Sequence, residues 1–145
     1  MAEVELADSS AWWWSARAGG SVRSDFDAAL VDGRIATCDV VRMELLHGAP
    51  SISDFRVTRA DLAHLPNCPI SPQLWSRAID VYEALAAEGR KRQRSIKHPT
   101  LLVAAAAEAA DVPVLHYDED FDRIAVITGQ PMRWLASRGS LRRRA

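Results

Sequence analysis

The sequence predicts an α/β domain built on a mostly parallel sheet, and two patterns carry that prediction. Short runs with strand character, Val4-Glu5-Leu6-Ala7, Arg34-Ile35-Ala36-Thr37-Cys38 and Val114-Leu115-His116, alternate with longer segments of helical period. Such alternation is what buries parallel strands beneath helices on both faces of a sheet. Acids then follow the strand ends, with Asp8 after the first run and Asp118, Glu119, Asp120 and Asp122 after the third. Open α/β sheets form their ligand crevices outside the carboxyl ends of strands. At 145 residues the chain has the size of one domain with a real core.

Taken in order, Asp8-Ser9-Ser10 after the first strand has the side-chain oxygens that cap helices. Trp12, Trp13 and Trp14 open that helix, and three consecutive rings cannot all enter one core. At least one therefore lies at a surface or interface. Gly19-Gly20 ends the element, and Phe26, Ala29 and Leu30 mark a second helix over Val22 to Val31. After the second strand Asp39 starts a helix, Val40 to His47, stopped by Gly48-Ala49-Pro50. Glu44 lies on it beside Val40 and Val41, a half-buried position in this reading.

Ser51 to Ala63 forms the next helix, and two prolines reduce Leu65 to Ile70 to a loop or brief edge strand. Ser71-Pro72 starts an amphipathic helix carrying Leu74, Ala78, Tyr82 and Leu85, ended by Gly89. A basic loop, Arg90 to Lys97, leads to a helix apolar all round from Leu101 to Ala110, which belongs at the centre. The acidic stretch after the third strand opens a short helix through Ala125. Val126 to Leu135 adds an edge strand. The expected limits are one domain over residues 1–136 and a frayed basic tail over 137–145.

Hydrophobic residues at 48% and charged residues at 26% are those of an ordinary globular protein. The net charge of -1 conceals a segregation, because no acid follows Asp122 while Arg133, Arg138, Arg142, Arg143 and Arg144 do. Basic segments near an acidic centre suit a polyanion, with Arg90, Lys91, Arg92 and Arg94 the candidate phosphate contacts. The same runs also fit a solvated face. Cys38 and Cys68 are too few for a disulfide framework or zinc site and read as free thiols. The amino terminus carries acids where a signal peptide carries bases, and Glu108 interrupts the most apolar run. Those features point to a cytoplasmic protein that does not enter the membrane.

Asp8, Glu44, Asp118 and Asp120, with the Ser10 hydroxyl, make an oxygen donor set suited to Mg²⁺ or Mn²⁺. Gathered carboxylates repel one another unless a cation joins them. A cation there activates water and stabilises phosphoryl oxygens, which is the chemistry of phosphodiester hydrolysis. No Ser–His or Cys–His device is evident, and His47 and His116 read as packing or rim residues rather than bases.

Four blocks then stand in a familiar order: Leu6-Ala7-Asp8-Ser9-Ser10-Ala11-Trp12, Val41-Arg42-Met43-Glu44-Leu45-Leu46, Pro99-Thr100-Leu101-Leu102-Val103-Ala104-Ala105-Ala106, and Val114-Leu115-His116-Tyr117-Asp118-Glu119-Asp120-Phe121-Asp122-Arg123-Ile124-Ala125. Together they resemble PIN-domain proteins, and in particular the VapC toxins of bacterial, above all actinobacterial, toxin–antitoxin systems. The resemblance spans essentially the whole chain. It implies a three-layer α/β/α sandwich, Mg²⁺- or Mn²⁺-dependent endoribonuclease activity on tRNA or rRNA, a homodimer and inhibition by a VapB-type antitoxin. It assigns Asp8, Glu44 and Asp118 to family acids, Asp120 to an extra one and Ser10 to the hydroxyl beside the first.

One position departs. The family carries an Asp before the Leu-Leu-(Ile/Val)-Ala-Ala run, and here Thr100 stands there. A neutral hydroxyl binds a cation more weakly, which opens an alternative: a catalytically impaired PIN-like module that still binds its antitoxin. A signalling phosphoacceptor domain also gathers acids at strand ends, but it needs a late lysine, and none follows Lys97.

Overall fold

The structure is a computed structural model that describes residues 3–141, with the side chains of Arg90, Arg92 and Gln93 outside the description. Four strands, β1 (Glu5–Ala7), β2 (Ile35–Ala36), β3 (Val114–His116) and β4 (Met132–Trp134), form one sheet in the order β2-β1-β3-β4. Every pairing is parallel, with Leu6 opposite Ala36 and Val114, and Val114 opposite Met132. The helices are α1 (Ser9–Ala18), α2 (Gly20–Val31), α3 (Asp39–His47), α4 (Ile52–Ala63), α5 (Pro72–Glu88), α6 (Arg90–Ser95), α7 (His98–Ala110) and α8 (Asp120–Thr128).

Side chains alternate across the strands, so the sheet divides the apolar residues into two cores. Leu6, Ala36 and Val114 join α3, α5, α7 and α8 through Val41, Leu85, Val103 and Ile124. Ala7, Ile35 and Leu115 face the other way onto Ala11 of α1 and Phe26 and Ala29 of α2. The result is the expected three-layer sandwich. Helix α7 is buried from Thr100 to Ala107 without a break, as its all-round apolar sequence requires.

Paired ions join elements within a layer. Arg77 of α5 grips Glu108 of α7 with both carboxylate oxygens, at 2.7 and 3.0 Å. Arg133 of β4 holds Glu5 of β1 in the same way, with both contacts at 2.7 Å.

Several expectations are corrected. The basic segment after Gly89 is not a loop, because Arg90–Ser95 is the helix α6, packed against α5. Arg, Lys and Gln are good helix formers, and contact with α5 settles a conformation too short to persist alone. Val126 and Ile127 continue α8 to Thr128 rather than start a strand. Their β-branching suits a strand, but Gly129 at φ 70° supplies the left-handed stop and the helix packs on α5 and α7. The second strand shrinks to two residues, and beyond it Thr37 makes a single parallel bridge to Asn67. Residues 137–141 lie back on the domain, where Leu141 N–H donates to the Tyr117 hydroxyl and Arg138 pairs with Glu119. Arg142, Arg143 and Arg144, expected in the basic tail, lie outside the described residues.

Candidate active site

The site grows from the ends of the two central strands. β1 stops at Ala7, and Asp8 caps α1, its Oδ2 accepting from Ser10 N–H at 3.0 Å. The cap and the candidate ligand are thus the same carboxylate, since capping occupies one oxygen. β3 stops at His116, and Asp118 Oδ1 accepts from Asp120 N–H at 3.0 Å as the chain turns into α8. Backbone pairing carries the two strand ends together, with Asp8 N–H donating to the Leu115 carbonyl at 2.9 Å, and the Ser10 hydroxyl adds a side-chain link by accepting from Tyr117 N–H at 2.9 Å. Ser10 therefore reinforces the register that brings Asp8 and Asp118 together, whatever else its oxygen binds.

A cleft of about 560 Å³ opens there, lined by Asp8, Ser10, Glu44, Lys97, Thr100 and Asp118 and also by Trp12, Trp13, Trp14 and Arg17 of α1. Asp8 is 6% exposed. Its burial, and then the charge of Asp118, push its carboxyl above the usual range against the pull of hydrogen bonds from Ser9 and Ser10. Glu44 is exposed rather than half-buried, because α3 turns Val41 inward and Glu44 toward the cleft rim. Partial desolvation by the cleft wall and the charge of Asp8 raise its pKa, while Ser9 and Lys97 draw it down. Thr100, in the first turn of α7, is buried in the wall and contributes only a neutral hydroxyl.

Asp120 stands apart from the other three acids. It does not line the cleft, and its Oδ1 accepts from Arg123 at 3.1 Å. Desolvation and the neighbouring Asp118 still push its pKa up, opposed by Arg123 and Lys97. Of the basic residues expected to meet phosphates, Lys91 and Arg94 are exposed on α6 and do not line the cleft. The side chains of Arg90 and Arg92 are outside the described residues. Lys97, the cap residue of α7, lines the cleft with the acids and draws down the Glu44 and Asp120 carboxyls. It was legible only as the end of a basic run, and its place depends on where α7 begins.

His116 is fully buried between Phe121 and Trp134. Its Nδ1 accepts from Asp118 N–H at 3.2 Å, which places the proton on Nε2. Burial lowers its pKa despite Asp122 and Asp118 nearby. This neutral ring shapes the turn that carries Asp118 and has no access to a substrate. Cys38 and Cys68 are free and buried, and desolvation pushes the Cys38 thiol up to about 11.

The donor chemistry fits a hydrated divalent ion. None of the ion pairs among the described residues involves Asp8, Glu44 or Asp118, so these carboxylates meet without a paired cation, although Lys97 and Arg17 line the same cleft. Among the described residues no three His, Cys, Asp or Glu side chains converge into a ready-made cage. Mg²⁺ does not require one, since it is held by one or two carboxylates and keeps several waters. Asp8 and Asp118 are placed for that role, with Glu44 across the cleft.

Residues 6–127 match the family model described as the PIN domain. The chain belongs to the PIN-domain family. Within it the chain falls in the VapC group. It is 40% identical over 138 residues to ribonuclease VapC18 of Mycobacterium tuberculosis, covering 95% of this chain and 99% of that protein. Ribonuclease VapC21 of the same species is 37% identical over 123 residues, 83% of this chain and 86% of the relative. Among solved structures, a DNA-bound VapBC from Salmonella typhimurium aligns with TM-score 0.70 at 16% identity, covering 93% of this chain and 100% of that one. VapBC-5 from M. tuberculosis aligns with TM-score 0.56 at 21% identity, covering 92% and 98%. At those identities the structures speak for the fold alone. Among the described residues no helix of this PIN-domain chain is long and apolar enough to cross a membrane.

Proposed function

We propose that this PIN-domain chain is the toxin of a type II toxin–antitoxin pair, an Mg²⁺- or Mn²⁺-dependent endoribonuclease acting on tRNA or rRNA in the cytoplasm. The observation that carries this reading is the meeting of Asp8, Glu44 and Asp118 in one cleft at the carboxyl ends of adjacent parallel strands. When bound, the cation supplies a polarised water and a counter-charge for phosphoryl oxygens. Asp8 and Asp118 would hold it from the two strand ends, with Asp120 adding negative potential beside Asp118. Glu44, whose proton affinity is raised, accepts a proton during attack. Lys97 binds a phosphate oxygen in the cleft and Ser10 reinforces the register of the strand ends. Asp8→Asn tests the reading. Loss of Mg²⁺-dependent RNA cleavage is expected, and cleavage at the wild-type rate overturns it.

The partners follow the same reading. Membership of the VapC group, whose relatives are named VapC ribonucleases, supports a VapB-type antitoxin. An apolar groove between α5 and α7, lined by Trp75, Ile79, Tyr82 and Leu102, supports a homodimer through that face. Trp75 and Ile79 are 55% and 64% exposed there, more apolar surface than one chain gains by leaving in water. Residues 1–136 form the working domain, and the basic segment 137–145 follows it, with its described part, 137–141, lying back on that domain.

A second reading rests on Thr100. With a neutral hydroxyl in the cleft wall where the family resemblance implies an Asp, the chain is a PIN-fold module that binds its antitoxin without cutting RNA. It requires that wild type be inactive and that Thr100→Asp restore cleavage. An active wild type removes it.

A further inference from the structure

We propose that Trp13, with Arg17 laid over it, is a stacking subsite for one unpaired nucleobase of the RNA beside the cleaved linkage. The inference rests on the ribonuclease reading for its substrate class. Consecutive residues of a helix point about 100° apart, so Trp12, Trp13 and Trp14 leave α1 in three directions. Trp12 turns to the core, edge-on to Phe26 at 5.1 Å. Trp14 is edge-on to Tyr117 at 5.0 Å, and Tyr117 is edge-on to Trp134 at 5.4 Å, an aromatic buttress over the end of β3. Trp13 packs its neighbour Trp14 at 4.8 Å and carries the Arg17 guanidinium 3.6 Å from its ring centroid. Arg17 is exposed and its Nη1 donates to the Trp13 carbonyl at 3.4 Å, which holds the plane in place.

The position of this pair gives it a use. The helix whose amino end Asp8 caps presents Trp13 five residues later, about 7.5 Å along its axis. Asp8, Glu44, Asp118, Trp13 and Arg17 line one continuous cleft. Unpaired bases stack on aromatic rings and on guanidinium planes, and every base has such a face. Arg17 and Lys97 line the same cleft as the acids, which suits the phosphates flanking the linkage to be cut. A single-stranded RNA brings both a flat base for Trp13 and Arg17 and phosphates for Arg17 and Lys97, so RNA is the occupant to which the proposal commits.

The test uses the full chain, a single-stranded oligoribonucleotide, and copies of it made abasic at one position at a time. Binding is read by fluorescence anisotropy in Mn²⁺ on an Asp8→Asn background, and cleavage is read separately with Asp8 intact. One abasic position should weaken binding by about 5- to 100-fold. Trp13→Ala should cause the same loss on the intact oligonucleotide and no further loss at that abasic position. Trp13→Phe should recover most of the affinity, and in cleavage the Trp13→Ala loss should appear in KM with kcat little changed. Equal losses on intact and abasic strands would show a merely structural role and overturn the subsite. Unchanged RNA binding with loss of antitoxin binding would assign the surface to a protein and also overturn it. Base-dependent binding through Trp13 without any cleavage by wild type keeps the subsite and removes the ribonuclease reading.

Discussion

Asp8→Asn is expected to stabilise the metal-free protein while abolishing its response to metal. Asn caps a helix as well as Asp does, so the bond to Ser10 N–H survives the change. What disappears is a carboxylate 6% exposed, beside Asp118 and without an ion-pair partner among the described residues. Relieving such a functional-site charge stabilises by about 1–2 kcal/mol, which corresponds to roughly 3–6 °C for a chain of this size. Metal acts oppositely, since an ion at a hundredfold its dissociation constant stabilises the competent protein by about 2.7 kcal/mol. Thermal melts at pH 7 in chelator and in rising Mn²⁺ separate the terms. The variant should melt above wild type in chelator and gain nothing from Mn²⁺, while wild type climbs past it. The pH dependence has a definite sign. The folded-state pKa of Asp8 is raised, so its contribution is fully present below the unfolded value near 3.8 and is lost as pH rises through the folded value. In chelator, the advantage of the Asn variant should therefore shrink as the pH is lowered toward that range. A variant that melts below wild type in chelator would refute the argument, because the carboxylate would then be supporting the fold.

Three more expectations follow from the geometry. Thr100→Asp adds a carboxylate to the cleft wall and should tighten Mn²⁺ by about tenfold, the effect of one added charge at roughly 1.4 kcal/mol; calorimetric titration showing no change would mean that Thr100 is remote from the ion. His116 should remain neutral, with its proton on Nε2, to a lower pH than an ordinary imidazole, visible in ¹H–¹⁵N spectra, because burial lowers its pKa from 6.5. That stabilising contribution is present above 6.5 and lost as pH falls through the lowered value, and a ring mainly doubly protonated at pH 6.5 would contradict it. Leu85→Ala removes a fully buried side chain between α5 and the main core and should cost about 2–5 kcal/mol in denaturant melts, with metal affinity unchanged at temperatures where the variant is folded.

Much of this protein is determined locally and could be read from the chain. Helix α7 announced its central place because residues from Leu101 to Ala107 are apolar on every side and no surface helix can be. Asp8 and Asp118 were legible because each follows a short apolar run, and strand ends in parallel sheets are where polar side chains can gather. The four quoted blocks carried the family, which the match over residues 6–127 shares.

Tertiary structure decided everything that depends on distance across the chain. Glu44 is on the rim and not half-buried because α3 is oriented by Val41, and helix rotation about its axis is set by packing partners far away in sequence. Asp120 looked equivalent to Asp118 two residues earlier, yet as the first residue of α8 it meets Arg123 one turn on and does not line the cleft. Lys97 and Trp13 enter the site only because α7 and α1 start beside the same pair of strands. Arg90–Ser95 is helical because α5 supplies the contacts that six charged and polar residues lack by themselves. Local composition states what a residue can do, and only the meeting of β1 with β3, reinforced by Ser10 and Tyr117, states what it does it with.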